Sequence, residues 1–375
     1  MDLDKRYLRN LDWLLIIVLI MLGIFSFIGI SGAKPDANYH WKQIIWYGVG
    51  FAFLTIVLLF DYHSIGNLSY GLYAFGMLLI IGVLFMPAKN NAHSWYQLGF
   101  MDFQPSELMK IFVIVTVARF LSKKDEKEDE ALGLREIVPA VLLIGVPLLL
   151  ILIQPDLGTA LVFTGILFSM LTVARTPIKY FVILGFCISL VFVGLAYLYN
   201  FNKDAFFKIM KPYQWMRIES WFNPDAYPKE GYQLRQSLTA IGSGQLLGKG
   251  IDGGTQARNG WVPVGESDFV FTVIGEELGF VGSSILVFLF FFMVYRMVRI
   301  AMDSKDTFGS YIAAGVIGMI VFQTFENIGM TIQLMPITGI PLPFISYGGS
   351  SLISNFLVMG MVMNVGMRRK KLMFE

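Results

Sequence analysis

Ten stretches of about twenty mostly apolar residues follow one another along this 375-residue chain, near 11–32, 43–60, 69–86, 105–121, 136–153, 156–174, 178–198, 268–295, 308–333 and 347–367. A helix of about 20 apolar residues spans a hydrocarbon core roughly 30 Å thick, with every backbone polar group satisfied internally. Composition agrees: 55% of residues are hydrophobic and only 15% charged, against roughly 45–50% and about 25% in soluble domains. The expected fold class is therefore an all-α membrane protein, a polytopic bundle of about ten transmembrane helices. It forms a single transmembrane domain over 1–375, with a long extracellular loop, 199–267, between spans seven and eight. The first apolar stretch reads as a retained span, because it is longer than the core of a cleaved signal.

Charge orients the bundle. With an even number of spans both ends of the chain share a side, and the segments on that side hold seventeen Lys/Arg against four on the other, Lys34, Lys42, Lys89 and Lys110. The positive-inside rule places both termini in the cytoplasm. The eight Lys/Arg of 199–267 count little, since long loops translocate regardless of charge. A net charge of +2 gives no reason to expect nucleic acid as a partner. The lone Cys187 cannot form an intrachain disulfide, and the three histidines lack metal-ligand spacing. Ser122–Glu130, with alternating charge, reads as a solvated cytoplasmic turn. Gly242–Gly250 is not a phosphate-binding P-loop, since its Gly-Lys is not followed by Ser/Thr. The long outer loop mixes tryptophans, tyrosines and basic residues, too much for a plain connector. It is expected to fold onto the outer face.

Ionisable residues inside or at the rim of such a bundle are costly and need a reason. Gln104-Pro-Ser-Glu107 and Gln154-Pro-Asp156 each open a span with a proline followed by an acid in the first turn, where the helix dipole favours it. Well-made helix starts explain either one alone. Glu107 and Lys110, three residues apart, share a face and can pair, which lowers the cost of a lysine within a span. Asp268 stands where the outer loop meets the eighth span, and Glu276 follows eight residues on, about 12 Å deeper at 1.5 Å per residue. Asp268 is a good capping residue, yet its position at the end of the loop, on the same side as Glu107 and Asp156, also suits a general base. Pro336–Ser351, with three prolines, must be buried in protein or line a wet cavity if it lies at membrane depth. Glu326 and Asn327 need partners inside the bundle, and Trp95 by default is an interfacial tryptophan.

Taken in order, Trp95, Gln104–Lys110 (QPSELMK), Gln154–Thr159 (QPDLGT), Lys211–Arg217 (KPYQWMR), Gly231–Ser237 (GYQLRQS), Ser267–Glu277 and Gly339–Ser350 closely resemble the SEDS family (shape, elongation, division and sporulation) over essentially the whole chain. Ser94-Trp95 and the QPDLG form favour its elongation branch. The resemblance implies a peptidoglycan glycosyltransferase that polymerises lipid II, an undecaprenyl-diphosphate-linked disaccharide-pentapeptide, at the outer face of the cytoplasmic membrane. It implies that the family's essential aspartate is Asp268, that its loop tryptophan is Trp95, and that Glu107–Lys110 is a salt-bridged pair in a central cavity. It also implies a class B penicillin-binding protein, a transpeptidase, as partner.

Polymerisation needs a base for the acceptor hydroxyl and positive charge for the departing diphosphate. Asp268 is the expected base. Lys110, Lys211, Arg217 and Arg235 are the candidate cations, with Asp156 lining the same site. No organic cofactor is expected; a divalent cation, Mg or Mn, is the alternative source of charge, with Asp268 then a metal ligand. The rival classes are a lipid II flippase, which intramembrane polar residues also suit, and a non-enzymatic scaffold of the cell-wall machinery.

Overall fold

The computed structural model describes residues 10–87, 94–97, 99, 102–125, 133–210, 212–228 and 231–368. Each of the ten expected segments contains one helix. In chain order the helices are α1 (Trp13–Ala33), α2 (Tyr39–Leu59), a short α3 (Tyr62–Asn67), α4 (Ser69–Val83), α5 (Pro105–Asp125), α6 (Leu134–Ile153), α7 (Leu157–Val173) and α8 (Ile178–Phe201). The outer loop contributes α9 (Lys203–Ile209), α10 (Pro212–Phe222), α11 (Tyr232–Gly244) and α12 (Thr255–Arg258), before α13 (Val270–Met302), α14 (Thr307–Thr331) and α15 (Gly349–Arg368). Seven of these (α1, α2, α6, α8, α13, α14 and α15) are long and apolar enough to cross a membrane, while α4 and α7 are shorter apolar helices. The fifth helix has the length but carries Glu107 and Lys110 inside it. Most of the Ser122–Glu130 segment and Lys211 lie outside the described residues.

Apolar lipid gives helices no hydrophobic reason to associate, so they pair through close contact at small residues. On α7 and α14, a Cβ added at Gly318 would fall 2.1 Å from Ser169 Oγ and 2.6 Å from the Gly165 carbonyl. On α2 and α15, a Cβ at Gly50 would land 2.3 Å from the Phe356 ring. The eighth helix, α8, is the opposite case. None of its residues is buried, and its apolar side chains face outward all round.

Two features depart from a simple row of spans. The first is in α13, where Gly279 has φ 62° and ψ −161°, a conformation only glycine adopts readily. The segment Val270–Glu277 before it is fully buried. The carbonyls of Gln245 and Leu246 accept from the N–H groups of Phe280 (2.9 Å) and Val281 (3.1 Å), capping the second half as a fresh helix start. Glu276 lies before this break, in the same helical stretch that follows Asp268. Its carboxylate accepts from Lys249 Nζ at 2.6 Å and from the N–H groups of Gln256 (2.8 Å) and Ala257 (2.9 Å), locking the outer loop in place.

The second feature is Pro336–Ser351, which runs as non-helical backbone until α15 begins at Gly349, with Ile340, Leu342, Phe344 and Ile345 buried. Ser26 donates to the Ile345 carbonyl (2.6 Å) and Gln43 to that of Ser346 (3.1 Å), so α1 and α2 satisfy polar groups that a buried loop leaves exposed. As expected of the outer loop, it folds back on the bundle. Trp221 Nε1 donates to the Gln333 carbonyl (2.9 Å) and Gln333 Nε2 to that of Trp221 (3.0 Å).

Candidate active site

Asp268 ends the outer loop two residues before α13, and its backbone is held by elements far away in sequence. The Glu266 carbonyl accepts from the Tyr347 N–H (2.9 Å), that of Ser267 from Ser346 Oγ (2.5 Å), and that of Asp268 from Asn327 Nδ2 (2.8 Å). Asn327 also donates to the Ile340 carbonyl at 2.7 Å. Three consecutive carbonyls are thus pinned from α14 and the Pro336–Ser351 segment. This is the partner that a buried Asn327 required. Gly339, with φ 77°, lets this segment pass beside the carboxylate, where an added Cβ would lie 3.4 Å from Asp268 Oδ2.

The carboxylate faces a cavity of about 950 Å³. Its walls include Trp95, Asp102, Gln104, Glu107, Asp156 and Thr159 on one part, Arg217, Glu266 and Asp268 on another, and Tyr39, Lys42, Trp46 and Tyr347 on a third. Burial pushes the Asp268 carboxyl up to about 6; the Ser267 hydrogen bond and the Arg217 charge act against that rise, while Glu266 and Asp156 add to it. A base with this pKa is largely ionised at neutral pH and still able to take a proton.

Asp156 caps α7, accepting from the Thr159 N–H (3.0 Å) and hydroxyl (2.8 Å), and it also accepts from Gln104 Nε2 at 2.9 Å. Gln154 donates to the Ile80 carbonyl (3.0 Å). The two Gln-Pro openings therefore meet and brace one wall. Trp95 sits just before a two-stranded hairpin, β1 (Tyr96–Gln97) against β2 (Asp102–Phe103), and lines the cavity rather than only the rim.

The expected cations divide. Lys110 is fully buried and paired with Glu107 at 2.8 Å, behind the wall that Glu107 lines. Its charge is spent on that carboxylate, which corrects its assignment as a direct diphosphate ligand. Arg235 is corrected too. It donates to the carbonyls of Pro224 (2.7 Å) and Pro228 (3.0 Å), fastening the outer loop away from the cavity wall. Lys211 lies outside the described residues. Of the three that are described, only Arg217 stands on the cavity wall, with Nη1 donating to the Ile337 carbonyl at 3.4 Å. Glu326 is fully buried, within electrostatic reach of Lys110 and Asp156.

Lys42, Glu266, Asp102 and the Tyr39–Tyr347 pair join the site without having been singled out in the sequence. In the sequence Lys42 is only one of the few charges on the sparse side of the bundle. Among the described residues no three His, Cys, Asp or Glu side chains come together as a metal cage. A Mg or Mn ion shared between one or two carboxylates and substrate phosphates needs no such cage.

The FtsW/RodA/SpoVE "Cell cycle protein" family profile matches residues 9–371. Stage V sporulation protein E of Bacillus subtilis is 35% identical, over 94% of this chain and 95% of its own length. Peptidoglycan glycosyltransferase MrdB of Escherichia coli K12 is 32% identical, over 97% and 95% respectively. A chain of a solved peptidoglycan synthase complex, in which polymerisation and crosslinking are coordinated, superposes with a TM-score of 0.80 at 28% identity, covering 96% of this chain and 98% of that one. Profile, full-length relatives and superposed fold agree with the site's geometry: the chain belongs to the FtsW/RodA/SpoVE family of cell cycle proteins.

Proposed function

We propose that this integral membrane protein is a peptidoglycan glycosyltransferase, polymerising lipid II into glycan strands with Asp268 as general base. The observation that carries the chemistry is a half-buried carboxylate, held by its own backbone, on the wall of a cavity that also presents Arg217. In each cycle an acceptor sugar hydroxyl attacks the anomeric carbon of a donor sugar. The carbon–oxygen bond to the lipid diphosphate breaks, its electron pair leaves on the phosphate oxygen, and the hydroxyl proton passes to the Asp268 carboxylate. Arg217 stabilises the charge that develops on the leaving diphosphate. Trp95 offers an aromatic face to a sugar ring, and Glu107, braced by Lys110, keeps the floor polar without adding a net charge. No step is routed through a metal.

The likeness to a synthase complex supports a class B penicillin-binding protein transpeptidase as partner. Ser94-Trp95 and Gln154–Thr159 support a role in cell elongation, and the loop charges support an orientation with both termini in the cytoplasm. Incubating the purified chain and its transpeptidase partner with labelled lipid II tests the activity. Asp268→Asn keeps the shape and removes the base, so glycan ladders should fall by about 10²–10⁴-fold while the melting temperature holds. Undiminished ladders would remove Asp268 from the mechanism. Lipid II crossing sealed vesicles with no polymer formed would favour the flippase.

A further inference from the structure

Strand growth joins two molecules, each a sugar carried on a lipid diphosphate, and only one of the two diphosphates leaves. A cavity of about 950 Å³ stands at the upper end of the roughly 300–1,000 Å³ range of small-molecule sites. Two of its cations have no carboxylate partner among the described residues, Arg217 and Lys42. They stand on different elements and in different company.

Arg217 belongs with Asp268, whose carboxylate feels its charge. Lys42, in the first turn of α2, belongs to an aromatic wall. Its ammonium lies 5.7 Å from the centre of the Tyr39 ring, and Tyr39 stacks on Tyr347 with centroids 4.6 Å apart and planes at 28°. Trp46 extends this wall and packs on Gly349, where an added Cβ would come 2.8 Å from the indole. The wall is fastened to the segment that carries Asp268, because the Tyr347 N–H donates to the Glu266 carbonyl at 2.9 Å, two residues before it. Lys34, also near the Tyr39 ring, is already neutralised by Glu266 at 2.6 Å, which leaves Lys42 as the charge there without a carboxylate partner among the described residues.

The two diphosphates make different demands. The leaving one gains charge as its bond breaks and needs a cation beside the base, which is the place of Arg217. The acceptor's keeps its bond and its charge throughout and needs only a tether. A lysine ammonium serves as a point-charge phosphate binder, and stacked rings suit the apolar face of a sugar. We propose that Lys42 with the Tyr39–Tyr347 stack forms a second diphosphate-sugar subsite that holds the acceptor. The assignment of the acceptor rests on the polymerase function; the subsite itself rests on the wall.

Binding can be read without turnover. The full-length Asp268→Asn chain in lipid nanodiscs, titrated with fluorescent lipid II, should show two sites. Lys42→Gln should weaken one of them about tenfold, the scale of one charge-assisted hydrogen bond, and leave the other in place. Lys42→Arg should restore it, which a purely steric role of the lysine would not allow. A Lys42→Gln isotherm unchanged from its parent, equal losses in the Gln and Arg variants, or a single site in the parent would each overturn the subsite. Failure of the polymerase function is read separately, as absence of glycan from the unmutated chain with its transpeptidase.

Discussion

Asp268 shows how a single residue's surroundings set a working pH. Burial raises its carboxyl to about 6, so the ionised base is present above that pH and lost below it. The rate should fall about tenfold per unit on the acid side of pH 6. Lys34 neutralises Glu266 at 2.6 Å; Lys34→Gln leaves Glu266 as an uncompensated negative neighbour and should move the acid limb to higher pH. A pH–rate profile unchanged in that variant would show that Glu266 does not act on the base. At this scale the sequence revealed what was anomalous. Asp268, Asp156, Glu107 and Lys110 stood out as charges at or within apolar spans, and Trp95 through the motif it precedes. Lys42 gave no such signal, since a lysine at the outer end of a span is what any rim offers. Arg235 misled for the converse reason, because a basic residue in an aromatic loop looks the same whether it faces a ligand or the loop's own carbonyls.

Among the elements, the pairing of α7 with α14 carries much of the site, since Asp156 caps one and Asn327 belongs to the other. Their approach depends on Gly318, where a Cβ would meet Ser169 Oγ at 2.1 Å. Gly318→Val should pry the pair apart at a cost of about 1–3 kcal/mol, an overpacking penalty. It should show as a lower melting temperature in detergent together with a loss of polymerase activity, whereas an unchanged melt would mean the helices part freely. Helix existence was legible from apolar length alone. The break at Gly279 was not, because glycine inside an apolar run is ordinary in membrane helices. What decides it is tertiary: the carbonyls of Gln245 and Leu246 offer the second half its own start.

For the whole molecule, the layout of helices makes a prediction about reagents. Cys187 lies on α8, a helix with no buried residue, and is itself exposed on a surface that faces lipid. In sealed vesicles it should resist a charged maleimide, because a charged reagent does not enter hydrocarbon. With Cys187 replaced by serine, a cysteine at Asp225, whose side chain is 88% exposed on the outer loop, should label from the periplasmic or external side alone. Labelling from the cytoplasmic side would invert the topology. The helical bundle was readable from where apolar runs start and stop. The cavity was not, because it is assembled from segments more than 200 residues apart. The pinning of Glu266, Ser267 and Asp268 through their carbonyls carries one more consequence. The scaffold grips the main chain there, so chemistry can be silenced at that point while the mould around it keeps its form. A muted protein of this kind is a faithful trap, suited to capturing both sugar headgroups in the act of meeting.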